Sequence, residues 1–330
     1  MAVPVTLIAG FLGSGKTTLV RRILSEAHGV RCAVIVNEFG EVGIDGDLIE
    51  RSAVKRGDTD PGGSVVELAN GCICCEIQDD LRTTLLGLVE QGGSGDARYD
   101  RILVEASGAA SPGPAVQTFL IDGVLQSRVR LDGVVTLAHA GLIEHQLGET
   151  AEAEAQVAYA DRILLNHVDR VDEGEAERLA SVLQRLNPLS EVRLAERAEV
   201  PLEWIFGAVG DEATPQNDDS GSAADVSGHT PGLRSVSLVA EGPVDADALV
   251  IWLEFLAKRR SHELMRAKGV IASTGPGGSV RGLVIQGVYR WLEVTEAEGA
   301  PPPQSRLVLI GRDLDESEVR RGWAAVSGKG

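Results

Sequence analysis

Residues Val5–Thr18, Val-Thr-Leu-Ile-Ala-Gly-Phe-Leu-Gly-Ser-Gly-Lys-Thr-Thr, constrain this chain more than any other stretch. They place Gly10-x-x-x-x-Gly15-Lys16-Thr17 behind a β-branched, apolar run and ahead of an amphipathic helical pattern. Strand, glycine loop and helix in that order form a phosphate-binding loop, because glycines let the backbone turn its N–H groups toward phosphate oxygens with no Cβ in the way. Gly10, Gly13, Ser14, Gly15, Lys16, Thr17 and Thr18 are the candidate phosphate-site residues. The Lys16 ammonium reaches the β- and γ-phosphates, the Thr17 hydroxyl ligates Mg²⁺, and the helix start adds its positive dipole end. A glycine-rich turn with a chance Lys-Thr is the bland alternative, and the flanking strand and helix patterns weigh against it.

The same motif sets the architecture. Strand and helix signals alternate through the first half, which implies βαβ units and a mostly parallel sheet. Strands are expected at about Val3 to Ala9, Arg31 to Asn37, Arg101 to Glu105, Gly133 to Ala138, Arg162 to Asn166 and Glu191 to Leu194. Helices are expected at about Lys16 to Ala27, Gln78 to Glu90, Pro114 to Leu120, Glu149 to Tyr159 and Glu173 to Leu186, with an irregular insertion between the second strand and Gln78. With 330 residues, the chain exceeds a usual single core. Around Ala208 to Gly232 apolar periodicity gives way to Asp, Ser, Gly and Ala, the composition of a linker. The expected organisation is an α/β phosphate-loop domain over 1–207, an acidic linker over 208–232 and a smaller α+β domain over 233–330. In that last part Leu233 to Ala240, Lys268 to Ser273, Arg281 to Val294 and Arg306 to Ile310 read as strands, and Val244 to Arg260 and Asp315 to Val326 as helices.

The formal net charge of −18 argues against general affinity for nucleic acid or anionic membranes, which depends on Lys and Arg neutralising phosphates. No apolar run approaches the roughly 18 residues that cross a bilayer, and the expectation is a cytoplasmic protein.

Three more clusters carry chemistry. Glu105 ends the strand Ile102-Leu-Val-Glu, where an acid completes the Mg²⁺ shell of a phosphate-loop protein directly or through water, and Gly108 can bring a backbone N–H near the γ-phosphate. Lys16, Thr17 and Glu105 are therefore the candidate catalytic set. Asn166-His-Val-Asp169 ends another strand; an Asp there can accept from guanine N1–H and N2–H₂, which adenine does not offer. A pair of turn-forming polar residues is the alternative reading of Asn166 and Asp169.

Gly71-Cys72-Ile73-Cys74-Cys75 packs three of the four cysteines into four positions. Thiolates so close in a loop converge on one soft or borderline ion, with Zn²⁺ favoured and Co²⁺ or Ni²⁺ able to fit. Glu38, Glu41, a His or water can supply a fourth ligand. A redox switch and buried thiols are the other readings. Cys32, alone in an apolar strand, reads as core.

Gly10-Phe-Leu-Gly-Ser-Gly-Lys-Thr-Thr18, Asn37-Glu-Phe-Gly-Glu-Val-Gly-Ile-Asp45, Gly71-Cys-Ile-Cys-Cys75 and Glu105-Ala-Ser-Gly108 together resemble the CobW-type GTPase and metallochaperone family. Arg266-Ala-Lys-Gly269, Gln286-Gly-Val288 and Arg306-Leu-Val-Leu-Ile-Gly-Arg-Asp-Leu-Asp315 extend the resemblance over nearly the whole chain. It implies slow GTP hydrolysis with Mg²⁺, and Zn²⁺ or Co²⁺ held by Cys72, Cys74 and Cys75 and delivered to a client metalloprotein. It also implies a nucleotide-dependent homodimer and a first switch at Asn37 to Asp45, where Glu38 and Glu41 report the nucleotide state. A nucleotide-gated metal scaffold or reservoir with negligible turnover is the alternative function.

The chain departs from the family pattern at three places. His167 stands where relatives usually have Lys, His139 where they usually have Asp, and Tyr289 where they commonly have His.

Overall fold

A computed structural model describes residues 2–26, 28–36, 64–67, 76–90, 99–207, 232–259, 264–274, 279–297 and 299–328. The chain divides into two compact units, the first made of Met1–Gln156, Ala160–Ser181 and Val192–Val209, the second mostly of Gly210–Gly330.

The first unit is built on strands β1 (Val3–Gly10), β2 (Cys32–Val36), β3 (Ser64–Glu67), β4 (Arg101–Glu105), β5 (Val129–His139), β6 (Arg162–Asn166) and β7 (Glu191–Leu194). They form one sheet in the order β3-β2-β4-β1-β5-β6-β7, and the six strands from β3 to β6 are joined by parallel ladders. Strands β2, β4 and β6 are buried along their whole length, as their unbroken apolar sequences require of strands covered on both faces. Helices α1 (Lys16–Ser25), α2 (Glu76–Glu90), α3 (Gly113–Ile121), α4 (Gly123–Gln126), α5 (Ile143–Glu149), α6 (Ala151–Tyr159), α7 (Glu173–Leu186) and α8 (Leu202–Phe206) complete the unit. Leu19, Val20, Ile23 and Leu24 of α1 recur at helical spacing and pack with Ile8, Val34, Leu103, Val135 and Leu164 in a single core. That packing fixes the angle at which α1 leaves the phosphate loop.

Strand β3 corrects the expected irregular insertion: Ser64–Glu67 pairs in parallel with Ala33–Val36. Four residues are too few for an alternation signal, and only the partner strand makes them a strand. Helices α4, α5 and α8 were likewise not expected. They have four, seven and five residues, too short for a helical period to stand out.

The second unit carries β8 (Leu233–Glu241), α9 (Ala246–Arg259), β9 (Leu264–Thr274), β10 (Val280–Val288), β11 (Trp291–Glu296), β12 (Gln304–Arg312) and α10 (Glu316–Val326). The antiparallel sheet runs β11-β10-β9-β12-β8. Leu249, Leu253 and Leu256 of α9 and Val319, Trp323 and Val326 of α10 share one core with Val236, Leu238, Ile271, Ile285, Leu307 and Leu309. The single strand expected over 281–294 is instead a hairpin, in which Val288 faces Trp291. Its two-residue turn, Tyr289-Arg290, has Tyr289 at φ 53°, a conformation usually signalled by Gly or Asn. A tyrosine there hides the turn from the sequence.

Candidate functional site

Ligands of open parallel sheets bind beyond the carboxyl ends of the strands, and the sequence-selected residues of the first unit gather there. Gly10 ends β1, Glu105 ends β4, His139 ends β5 and Asn166 ends β6. The central strand β1 lies between β4 and β5, with Ile8 level with Glu105 and Gly10 level with Leu137. The loop after β1 therefore opens between its two neighbours.

The loop's shape depends on glycine at two points. Gly10 has φ 140°, and a Cβ there would lie 2.4 Å from the Leu137 carbonyl oxygen. Gly15 has φ 104°, and its Cβ would stand 2.5 Å from Asn166 Nδ2. Between them Ser14 N–H donates to the Phe11 carbonyl at 3.2 Å, closing the turn. Gly15 is the N-cap of α1 and its first turn carries no acidic residue. A positive dipole end with no acidic side chain beside it suits an anion.

Lys16 is buried, and its ammonium donates to the carbonyls of Gly10 at 2.9 Å and Phe11 at 3.4 Å. These contacts bend the side chain back over the loop it belongs to. Thr17 Oγ1 donates to Glu105 Oε1 at 3.0 Å, so the two expected Mg²⁺ residues meet across 88 positions of sequence. Two hard oxygen ligands side by side fit a hard divalent cation. Thr18 is exposed, and Ser14 is buried with its hydroxyl beside Gly10. Gly108 packs on Leu12, and its carbonyl accepts from Gln156 Nε2 at 3.1 Å. The buried Gln156, which also donates to Ala110 at 3.1 Å, is a support that sequence reasoning missed.

The two residues expected to recognise the base are placed differently. Asn166 is fully buried: Nδ2 donates to the Ser14 carbonyl at 2.9 Å, and Oδ1 accepts from Ala198 N–H at 2.9 Å. It ties the phosphate loop to the 195–198 loop. Asp169 is exposed, with Arg170 Nε 3.3 Å from its carboxylate, and its oxygens can accept from a ligand. The 195–198 loop was also missed. Arg197 and Ala198 hold φ 49° and 58° with no glycine to announce the bend.

His139 and His167 stack, with ring centroids 4.3 Å apart and planes 21° from parallel. His139 Nδ1 accepts the Gly141 N–H at 3.1 Å. Burial, then the neighbouring His167, hold the His139 pKa below the ordinary imidazole value. Cys32 is core as expected, and burial pushes its thiol up to about 12. Cys72, Cys74, Cys75, Glu38, Glu41 and the segment Asn37 to Asp45 lie outside the described residues, as does most of the expected linker. Among the described residues no helix is long and apolar enough to cross a membrane.

Residues 4–193 match the family described as CobW/HypB/UreG, nucleotide-binding domain, and residues 233–327 match the cobalamin synthesis protein cobW C-terminal domain. The chain is 35% identical to the zinc chaperone YjiA of Escherichia coli, over 98% of each chain. It is 34% identical to the zinc chaperone CobW of Pseudomonas aeruginosa, over 96% of this chain and 89% of that one. The crystal structure of the Zn(II)-bound YjiA GTPase from E. coli superposes with a TM-score of 0.75 at 30% identity, covering 99% of both chains. A phosphate loop at the head of a parallel sheet, followed by the matching second unit, thus meets sequence similarity along the whole length: the chain belongs to the CobW/HypB/UreG family and carries the CobW C-terminal domain.

Proposed function

We propose that this protein is a GTP-hydrolysing metallochaperone that takes up Zn²⁺ at Cys72, Cys74 and Cys75 and passes it to a client metalloprotein under nucleotide control. The observation that carries the reading is the meeting of Thr17 and Glu105 at 3.0 Å beside Lys16, in a chain whose whole-length relatives are named zinc chaperones. Thr17 and Glu105 would hold Mg²⁺, which when bound neutralises charge on the β- and γ-phosphate oxygens.

The chain's own residues supply the rest. The first-turn N–H groups of α1 bind phosphate oxygens, and Lys16 exchanges its loop carbonyls for the β- and γ-phosphates. Asp169 accepts from guanine N1–H and N2–H₂. Transfer of a phosphoryl group to water depends mainly on positioning and charge stabilisation, which this site offers. Asn37 to Asp45 acts as the switch segment, with Glu38 and Glu41 carrying the nucleotide state to the neighbouring cysteines. γ-Phosphate contacts are a known means of ordering such a segment and releasing it on hydrolysis.

Zn²⁺ affinity measured with a non-hydrolysable GTP analogue and with GDP tests the coupling, because linkage between two ligands is reciprocal. The expected result is a several-fold difference that disappears in the Cys72→Ser/Cys74→Ser/Cys75→Ser variant. Equal affinities in the wild-type protein would remove nucleotide control from the reading. Co²⁺ in place of Zn²⁺ in the same titration tells which ion the thiolates prefer.

A further inference from the structure

Two residues that depart from the family pattern, His139 and His167, lie 28 positions apart in sequence and face to face in space. They reach each other because β5 and β6 are parallel neighbours, with His139 level with Asn166 at the carboxyl end of the sheet. Each ring is held by its own device. Accepting the Gly141 N–H leaves His139 Nδ1 without a proton, so the neutral ring carries its proton on Nε2. His167 is held through its backbone at φ 60° and ψ 37°, left-handed and unusual for a residue with a Cβ. The Asn166 ties precede it, and Val168 N–H donates to the Ala195 carbonyl at 3.3 Å just after it. Strained backbone of this kind gathers at ligand clamps.

The ring so placed stands against the phosphate loop. His167 Nε2 lies 3.7 Å from where a Gly15 Cβ would be, is buried, and has no hydrogen-bond partner among the described residues. The stack is unsuited to a metal ion: near-parallel rings do not aim their lone pairs at one point, and His139 Nδ1 is already engaged.

We propose that His139 and His167 act as one unit, a two-ring wall of the base-side pocket, in which His167 meets the guanine nucleotide and His139 is the positioning residue that holds its ring. This rests on the guanine-nucleotide reading above. Asp169 selects the base at its edge, and His167 gives it an aromatic neighbour. A neutral stack suits this role, because two imidazolium rings at 4.3 Å would repel each other. Burial and His167 both resist protonation of His139, which favours its neutral ring.

The test measures GDP and Mg²⁺-tripolyphosphate binding by calorimetry on the full chain, with thermal melting to check the fold of each variant. His139→Ala is expected to weaken GDP about 5-fold and His167→Ala about 10-fold, the range of one aromatic stacking contact. The double variant is expected to match His167→Ala alone, because His139 acts only through its partner. His139→Phe, which keeps a ring without the Gly141 contact, is expected to recover most of the GDP affinity, and tripolyphosphate binding is expected to stay unchanged throughout. In the wild-type protein the His167 ring nitrogen resonances are expected to shift with GDP and stay fixed with tripolyphosphate. GDP affinity unaffected by His139→Ala, additive losses in the double variant, or unmoved His167 resonances would each overturn the stacked wall. Wild-type protein that binds tripolyphosphate and GDP equally would instead overturn the guanine reading together with the inference built on it.

Discussion

At the proposed phosphate corner, between β1 and α1, backbone would do most of the binding: two glycines hold conformations that a Cβ would block, and the helix start carries no acidic residue against its positive end. At the base corner, beyond β5 and β6, side chains from separate segments do the work: Asn166 clasps two loops, Asp169 stands exposed, and His139 backs His167. Backbone sites depend on contiguous residues and tolerate little change, because the needed φ values admit almost only glycine. Side-chain sites admit replacement in pairs, provided the neighbour changes too. The three family departures fit that contrast, since none falls in the phosphate loop and two of them touch each other.

The contrast is most exposed to removal of the Lys16 side chain, which folds back over the loop carbonyls. Lys16→Ala is expected to lower GTP hydrolysis about 10²- to 10³-fold, the cost of losing one preorganised charge-stabilising donor, with an unchanged circular dichroism spectrum. Single-turnover phosphate release checks it. A loss below about 10-fold would mean that the backbone alone carries phosphate stabilisation.

Asn166 and Asp169 are expected to part company. Asn166→Ala strands a buried carbonyl at Ser14 and a buried N–H at Ala198, and urea unfolding is expected to show a loss of about 2–3 kcal/mol. Asp169→Asn touches an exposed carboxylate, so stability is expected to hold while GDP affinity falls about 10-fold and the margin over ADP narrows. Equal stability losses in the two variants would erase the distinction between a tie and a selector.

The glycine loop with Lys16 and Thr17 was legible because it is contiguous, whereas the Asn166 tie to Ser14 and the Gln156 support of Gly108, each from far along the chain, were not. Glu105 was legible too, since it ends an apolar run and a phosphate loop demands an acid there. The sheet's parallel character followed from the alternation of strand and helix, but β3 did not, because pairing with β2 and not local pattern makes Ser64–Glu67 a strand. The Tyr289 turn was hidden by a side chain unusual at positive φ. At the base corner His139 and His167 were each visible as departures, while their contact was not. Nothing in either local sequence states which strand lies beside which, and that adjacency is what stacks the rings.

The finest probe of the comparison is pH, because the base corner holds His139 with its lowered pKa and the phosphate loop's own binding groups are mostly amide N–H. His139 has a lowered pKa in the folded protein, caused first by burial and then by His167, with Arg170 adding to the effect and Asp169 opposing it. The unfolded chain, titrating near 6.5, therefore takes up this proton before the folded protein does. Stability rises with pH wherever the unfolded state binds more protons. The contribution is thus fully present above about pH 6.5 and drains away as pH falls through the lower folded value. Urea midpoints between pH 7.5 and about 5 should fall more steeply for the wild-type protein than for His139→Phe, which has no imidazole to protonate. The difference should be the smallest of the four effects and should centre below the ordinary imidazole range. Parallel midpoints would show that the ring is no harder to protonate when folded, and the base corner would then lack the neutral stack that sets it apart from the phosphate loop.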